Sequence, residues 1–327
     1  MNKLIISYFK HEGQLVYDLK RRIKKALKTV FLVTVIATMS YLFFFPVYYA
    51  FVVAFQRPDL AVDPTSVYVP KAFSLDAVKV ALQELDFKNS ILLTLSITII
   101  PTAFSLMSCS ITGYAFARFN FKGKRIAFLF VLLLIVIPTQ QIIVPQYMMY
   151  DSFTFGGLLS IFGIEINLLN TPFVFILPSI FSVGYKAGIF IFIFRQFFSG
   201  LPKEFEEAAT IDGCGPFKIF LKIMIPNAVP AFVVVTLLCV IWHWNEFYSS
   251  SMFFIDEVKP LIVNLNSLMD KVASGGLLVE GIENSNSYMQ RMFLQAGVII
   301  TITPLLVLYA FMQKFFVESI DRSGIVG

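Results

Sequence analysis

The sequence predicts an all-α polytopic membrane protein. Of its 327 residues, 57% are hydrophobic, only 14% are charged and 37 are Phe. A soluble domain has roughly 45–50% apolar and about 25% charged residues, so this composition suits lipid better than water. Apolar runs extend along the whole chain and leave no stretch long enough for a separate soluble core. We therefore expect one membrane domain.

Six apolar runs, five of them uncharged, are long enough to cross a bilayer, because a spanning helix needs about 20 apolar residues. The fourth of them contains a single charge, Lys186. Residues 1–28 form a basic tail without a cleavage site, so we expect an uncleaved first helix and a transmembrane domain over residues 29–327. The six predicted spans are residues 30–56, 89–117, 126–150, 166–194, 223–245 and 292–313.

The distribution of Lys and Arg predicts the orientation of these spans. If the N-terminus is cytoplasmic, the cytoplasmic segments contain 18 Lys and Arg and the outer segments contain seven. Cytoplasmic segments of membrane proteins retain the positive charge, so both termini are predicted to be cytoplasmic. Several spans contain a proline, which can kink a helix either to line a pathway or simply to pack. These are Pro46, Pro101, Pro138, Pro145, Pro178 and Pro304.

The segment at residues 199–226, between the fourth and fifth runs, predicts a short helix that starts after Pro202. Three glutamates at its start suit the positive end of a helix, and Asp212 and Gly213 suit its end. A Gly-Pro pair at residues 215–216 then starts a second helix. Small residues and an acidic first turn fit a docking element, and they also fit an ordinary solvated loop. The residue types alone leave both alternatives open.

The order of residues in this segment resembles the EAA loop in the permeases of binding-protein-dependent ABC importers. The matching residues are Glu207, Ala208, Ala209, Asp212, Gly213 and Pro226. The run GYAFARFNFKGKR at residues 113–125 and the sequence Trp244-Asn245-Glu246 are similar to the MalG-like carbohydrate permeases of that class. The resemblance implies a MetI/MalG-like transmembrane domain in a prokaryotic plasma (inner) membrane.

The same resemblance implies the partners of the chain. The EAA loop would be a coupling helix seated on a cytoplasmic ABC ATPase dimer, which uses ATP and Mg, while this chain binds no cofactor. A second permease subunit would complete a heterodimer, and an extracytoplasmic sugar-binding protein would deliver a carbohydrate, for which we expect an oligosaccharide. The long outer loop at residues 247–290 either contacts that binding protein or is a solvated cap.

Other function classes lack support in the sequence. The chain has no GxxxxGK[ST] loop, no HExxH and no nucleophile elbow, so we expect no catalytic residue and no metal site. Its net charge of +5 comes from clusters between apolar runs, which argues against a nucleic-acid partner. Three alternatives remain open: an ABC permease for a non-sugar solute, a gradient-driven secondary transporter and a non-transporting membrane scaffold.

Five residues are candidates for a substrate pathway. Lys186 is predicted to lie near the middle of the membrane, where an ammonium is costly and usually faces a cavity or a partner. It would donate to sugar hydroxyls or to an acidic sugar, or it would be a structural lysine bonded to helix carbonyls. The other candidates are Tyr185, Trp244, Asn245 and Glu246.

Overall fold

The computed structural model describes residues 2–57, 69, 72–275 and 287–323. Within these ranges the chain is helical apart from loops and two isolated antiparallel bridges, Gln56–Phe73 and Phe153–Ile166. The all-α class predicted from composition is confirmed. The middle of the predicted outer loop and the last four residues of the chain lie outside the described residues.

Three helices are long and apolar enough to cross a membrane by length and composition. They belong to α1 (Asn2–Ala54), α3 (Phe87–Arg118) and α14 (Ser287–Ser323). The basic tail is part of the same helix as the first span. Residues 20–44 of α1 are exposed, which suits a helix whose apolar side chains face lipid or another subunit.

The third and fifth predicted spans are bent helix pairs. α4 (Lys124–Val136) and α5 (Thr139–Asp151) meet at an angle of 100° beside Pro138, which lacks the N–H needed to continue a helix. In the fifth span, α9 (Pro216–Ile219), a π turn and α10 (Ile225–Asn227) precede α11 (Val229–Trp244), which is bent from them by 78°. Counting each pair as one span gives up to five candidates in the described ranges, so the six-span count stays a prediction.

The fourth predicted span, residues 166–194, differs most from expectation. It is divided into α6 (Phe173–Ile180) and α7 (Ala187–Gly200), with a non-helical break between them. Pro178 removes one backbone donor, and Ser182 and Lys186 adopt left-handed conformations with φ of 59° and 58°. Lys186 therefore lies at the start of a short apolar helix and not within a continuous one.

The predicted outer loop at residues 247–290 is largely folded where it is described. It contains α12 (Phe247–Phe253), α13 (Leu261–Ala273) and the start of α14. The Asn264 amide donates to the Leu85 carbonyl and to Ser90 Oγ, each at 2.9 Å. These bonds hold α13 on the start of α3, beside the amphipathic helix α2 (Asp76–Glu84).

The core of the molecule is the pair formed by α3 and α7. Gly113 permits their close approach, because a Cβ added there would lie 2.6 Å from Phe194 Cβ and 3.0 Å from the Arg195 backbone nitrogen. Gly188 plays the same part between α7 and α4, where an added Cβ would lie 2.9 Å from the Val131 carbonyl oxygen. Two helices packed this closely are expected to move as one body.

Candidate functional site

The predicted short helix is present as α8 (Glu204–Ile211). Glu204, Glu206 and Glu207 occupy its first turn, where the partial positive charge of the helix end favours them. Asp212 caps its C-terminus and Gly213 has a φ of 77°, which only glycine adopts without strain. Gly215 is extended, and Pro216 begins α9 as predicted.

The residues that resemble the EAA loop divide into one buried and several exposed positions. Ala209 is 5% exposed and packs in the core cluster that also contains Phe198 and Phe220. Glu207, Ala208, Asp212 and Gly213 are exposed on α8 and its cap, and Pro226 is exposed farther along the chain, in α10. One side of α8 is thus bound to the protein core and the other is free in this chain.

The free side of this segment is apolar as well as acidic. Ile211 is 87% exposed, Phe217 is 70% exposed and Phe205 is 45% exposed, although each is large and hydrophobic. Such residues on an exposed helix beside acidic side chains are typical of a protein interaction surface. We call these residues the α8 surface: Phe205, Glu207, Ala208 and Ile211 of α8, with Phe217 of the adjoining α9.

A residue that sequence reasoning missed, Arg118, joins α8 to the membrane helices. Its side chain is 6% exposed, and its Nε lies 3.2 Å from Glu206 Oε1 as an ion pair without aligned hydrogen-bond geometry. Its guanidinium also donates to the Leu201 carbonyl at 2.7 Å, just after the end of α7. Arg118 is the last residue of α3, so one side chain holds three elements together. A basic residue at the cytoplasmic end of a span is ordinarily explained by membrane orientation alone, so nothing in the sequence indicated this structural role.

The other region of interest is the break between α6 and α7, which α3 also supports. Ser108 Oγ donates to the Ser179 carbonyl at 2.6 Å, and Thr112 Oγ1 lies 3.0 Å from Ser182 Oγ. Hydroxyl groups of a neighbouring helix commonly satisfy backbone groups freed by a broken membrane helix. Ser108 and Arg118 are ten residues apart on α3, or about 15 Å along its axis.

A cavity of about 280 Å³ opens at this break, between α4, α5, α6, the start of α7 and α12. Tyr185 and Lys186 line it, and the Lys186 ammonium lies 5.4 Å from the centre of the Tyr185 ring. Five lining residues are polar but uncharged, and several are aromatic. They are Thr139, Gln146, Tyr150, Tyr185 and Ser249, with Phe175 and Phe253 among the aromatic ones.

The other pathway candidates do not line this cavity. Glu246 is 4% exposed, accepts the Ser249 N–H at 2.9 Å at the start of α12, and lies beside the Tyr185 hydroxyl. The structure thus brings Glu246 close to the cavity without exposing it there. Trp244 is 3% exposed and its indole N–H donates to the Thr301 carbonyl at 3.1 Å, while the exposed Asn245 amide donates to the Ile241 carbonyl. These two residues serve packing and helix termination here.

His243 is a further residue that sequence reasoning left out. It is 2% exposed, its Nδ1 lies 2.9 Å from the Cys239 carbonyl, and its ring meets Tyr185 and Phe175 edge to face. Its Nε2 has no partner among the described residues. In the part of the chain that the structure describes, no group of three or more His, Cys, Asp or Glu residues could hold a metal ion.

Comparison with known proteins places these features in a family context. The model of the family described as "Binding-protein-dependent transport system inner membrane component" matches residues 109–322, which include the cavity, α8 and Arg118. The arabinooligosaccharides transport system permease protein AraQ of Halalkalibacterium halodurans is 32% identical over 241 residues, 74% of each chain. The polygalacturonan/rhamnogalacturonan transport system permease protein YtcP of Bacillus subtilis is 25% identical over 86% of this chain and 92% of its own.

A solved structure has the same fold. It is a chain in the crystal structure of a bacterial ABC transporter involved in the import of the acidic polysaccharide alginate. The TM-score is 0.70 over 89% of this chain and 96% of that chain, with 21% sequence identity. The MetI/MalG-like arrangement of helices expected from the EAA-like segment is confirmed.

Proposed function

Because the chain belongs to the family of binding-protein-dependent transport system inner membrane components, we propose that it is the permease subunit of an ATP-driven importer of oligosaccharides. As a multi-pass inner membrane component it forms part of a transport pathway and is not itself an enzyme. The carbohydrate assignment is supported by the transport systems for which AraQ and YtcP are named.

The observation that carries the ATP-driven mechanism is the α8 surface. This surface is exposed, acidic and apolar on one side, and on the other it is joined to α3 and α7 through Ala209 and Arg118. An ATPase subunit seated on it would be linked mechanically to the membrane helices. In our proposal ATP and Mg are bound by that ATPase dimer, and this chain contributes no cofactor site.

The route from α8 to the cavity follows two packed helices. A displacement of α8 acts on Glu206 and through Arg118 on the ends of α3 and α7. The α3–α7 pair moves as a unit because Gly113 brings the two backbones together. Its other contacts, from Ser108 and Thr112 to the α6–α7 break, deliver the movement to the cavity wall at Lys186.

The remaining partners complete the importer. With the orientation predicted by the Lys and Arg distribution, α8 faces the cytoplasm, and α12 and α13 face the side where an extracytoplasmic sugar-binding protein docks. A second permease subunit supplies the opposite wall of the pathway, and the exposed length of α1 offers one surface for it. We propose a heterodimer of permeases, as the resemblance to MalG-like proteins implies.

The proposal is tested by reconstituting the chain with its co-purifying subunits in proteoliposomes. Labelled oligosaccharide supplied outside with its binding protein is expected to accumulate only when ATP is enclosed in the vesicles. Accumulation should persist when ionophores collapse ion gradients. Uptake that needs a gradient and not ATP would instead support a secondary transporter, and ATP-dependent uptake of a non-sugar solute alone would support the other permease class.

A further inference from the structure

We propose that the cavity at the α6–α7 break selects an anionic sugar, such as a uronate unit of an oligosaccharide, and that Lys186 is the residue that selects it. This inference rests on the proposed function and specifies the substrate class of its pathway. It depends on the charge of the cavity wall, on the conformation of Lys186 and on the aromatic residues of the cavity.

The only charge in the described cavity lining is positive. Lys186 is the only charged residue in the described lining, and the other polar groups are neutral hydroxyls and an amide. Among the residues that the structure describes, no carboxylate lies within 4.0 Å of its ammonium. The neutral groups already suffice to bind sugar hydroxyls, so the net positive charge is surplus for a neutral sugar and complementary to a carboxylate.

The nearby acid, Glu246, is committed to other contacts. Its carboxylate caps α12 through the Ser249 N–H and lies beside the Tyr185 hydroxyl, so Tyr185 and Ser249 form the cavity wall over it. Glu246 is 4% exposed and is not part of the described lining. The solute therefore meets Lys186 and not this carboxylate.

Two features of Lys186 cost free energy: its predicted place in the membrane and its backbone conformation. The sequence predicts that Lys186 lies near the middle of the membrane, where an ammonium loses hydration and persists where it meets water, a partner or a solute. Lys186 also holds a left-handed backbone conformation, with a φ of 58°, which is uncommon for a residue with a side chain. Strain of this kind tends to occur at ligand sites, where the surrounding structure imposes it.

The aromatic residues of this cavity suit a sugar ring. Tyr150, Phe175, Tyr185 and Phe253 line the same cavity as Lys186, whose ammonium lies 5.4 Å from the centre of the Tyr185 ring. This subunit encloses about 280 Å³, just below the usual range of about 300–1,000 Å³ for ligand cavities, as expected if a second subunit completes the pathway. The arrangement would stack the apolar face of the ring and pair its carboxylate with Lys186.

The experiment measures uptake by the complete reconstituted importer with its binding protein. The probes are radiolabelled trigalacturonate and its carboxyl-reduced counterpart, which has the same linkages without the charge. The variants are Lys186→Gln, Lys186→Arg and, as a control for loss of a cation, Lys122→Gln in the exposed loop between α3 and α4. Gel filtration of each complex establishes that the variants assemble equally.

We expect the wild type to take up trigalacturonate in preference to the reduced probe. Lys186→Gln should lower kcat/KM for trigalacturonate about tenfold, while Lys186→Arg and Lys122→Gln stay within about threefold. Equal uptake of trigalacturonate by the wild type and Lys186→Gln would overturn the inference. Uptake of the reduced probe alone would overturn it and leave the importer intact. Failure to take up any oligosaccharide, with ATP hydrolysis preserved, would instead count against the proposed function.

Discussion

Arg118 at the end of α3 forms an ion pair with Glu206 on α8, with 3.2 Å between Nε and Oε1. The same guanidinium binds the Leu201 carbonyl at 2.7 Å, beyond the end of α7. Because the Arg118 side chain is almost fully buried and that of Glu206 is 21% exposed, this pair is shielded from solvent more than a surface salt bridge. It is the most direct link between the α8 surface and the helices that reach the cavity.

Replacing Arg118 with Leu should uncouple ATP hydrolysis from transport. The substitution leaves Glu206 without its ion-pair partner and the Leu201 carbonyl without its donor, which costs on the order of 2 kcal/mol. We expect sugar uptake per ATP hydrolysed to fall about fivefold or more, measured in proteoliposomes. Lys122→Leu, in the adjoining exposed loop, serves as the matched control.

A charge-swapped double variant separates coupling from simple misfolding. The double variant Arg118→Glu with Glu206→Arg restores opposite charges and should recover part of the uptake lost in each single variant. Unchanged uptake per ATP in Arg118→Leu would show that α8 moves the membrane helices by another route.

Gly113→Ala should destabilise the complex because the new Cβ would lie 2.6 Å from Phe194 Cβ and 3.0 Å from a backbone nitrogen. Overpacking of this kind costs about 1–3 kcal/mol, which thermal unfolding of the purified complex would report as a lower Tm. Gly200→Ala is the control, since an added Cβ there meets nothing within 4 Å. An equal Tm for both variants would contradict the tight packing of α3 on α7.

Trp244→Phe should affect stability and not substrate affinity. It removes the indole donor to the Thr301 carbonyl, a buried bond whose loss costs about 1 kcal/mol. The KM for sugar uptake should stay within about twofold while the Tm falls. A raised KM with an unchanged Tm would indicate instead that Trp244 contacts the substrate.

The local rules of helix termini explain why so much of α8 could be predicted from sequence. Pro202, the three glutamates and Gly213 act through short-range effects, namely helix starts, dipole charge and backbone freedom. The same kind of rule predicted the helix start at Pro216. The family resemblance then added a role that these residue types alone left undecided.

Long-range contacts explain what the sequence did not reveal. Pro178 indicates a possible break in the fourth span, but the contacts that support the break come from α3, about seventy residues earlier. Ser108 donates to the Ser179 carbonyl, and Thr112 pairs with the Ser182 hydroxyl. Likewise, in the sequence Arg118 indicates only the orientation of its span, and the structure adds its ion pair with Glu206. Trp244 is a pathway candidate in the sequence, but the partner of its indole N–H, the Thr301 carbonyl, lies on another helix and cannot be inferred from nearby residues in the chain.

The α8 surface itself gives the most direct test of the importer account. The chain is purified in mild detergent from its native host as wild type, as Glu207→Arg and as Glu257→Arg, a matched reversal of an exposed glutamate in the loop before α13. Mass spectrometry then identifies the proteins that accompany each form. The account predicts that an ABC ATPase accompanies the wild type and Glu257→Arg and is lost from Glu207→Arg. An ATPase that is absent from the wild type, or that is retained by Glu207→Arg in full amount, would contradict it.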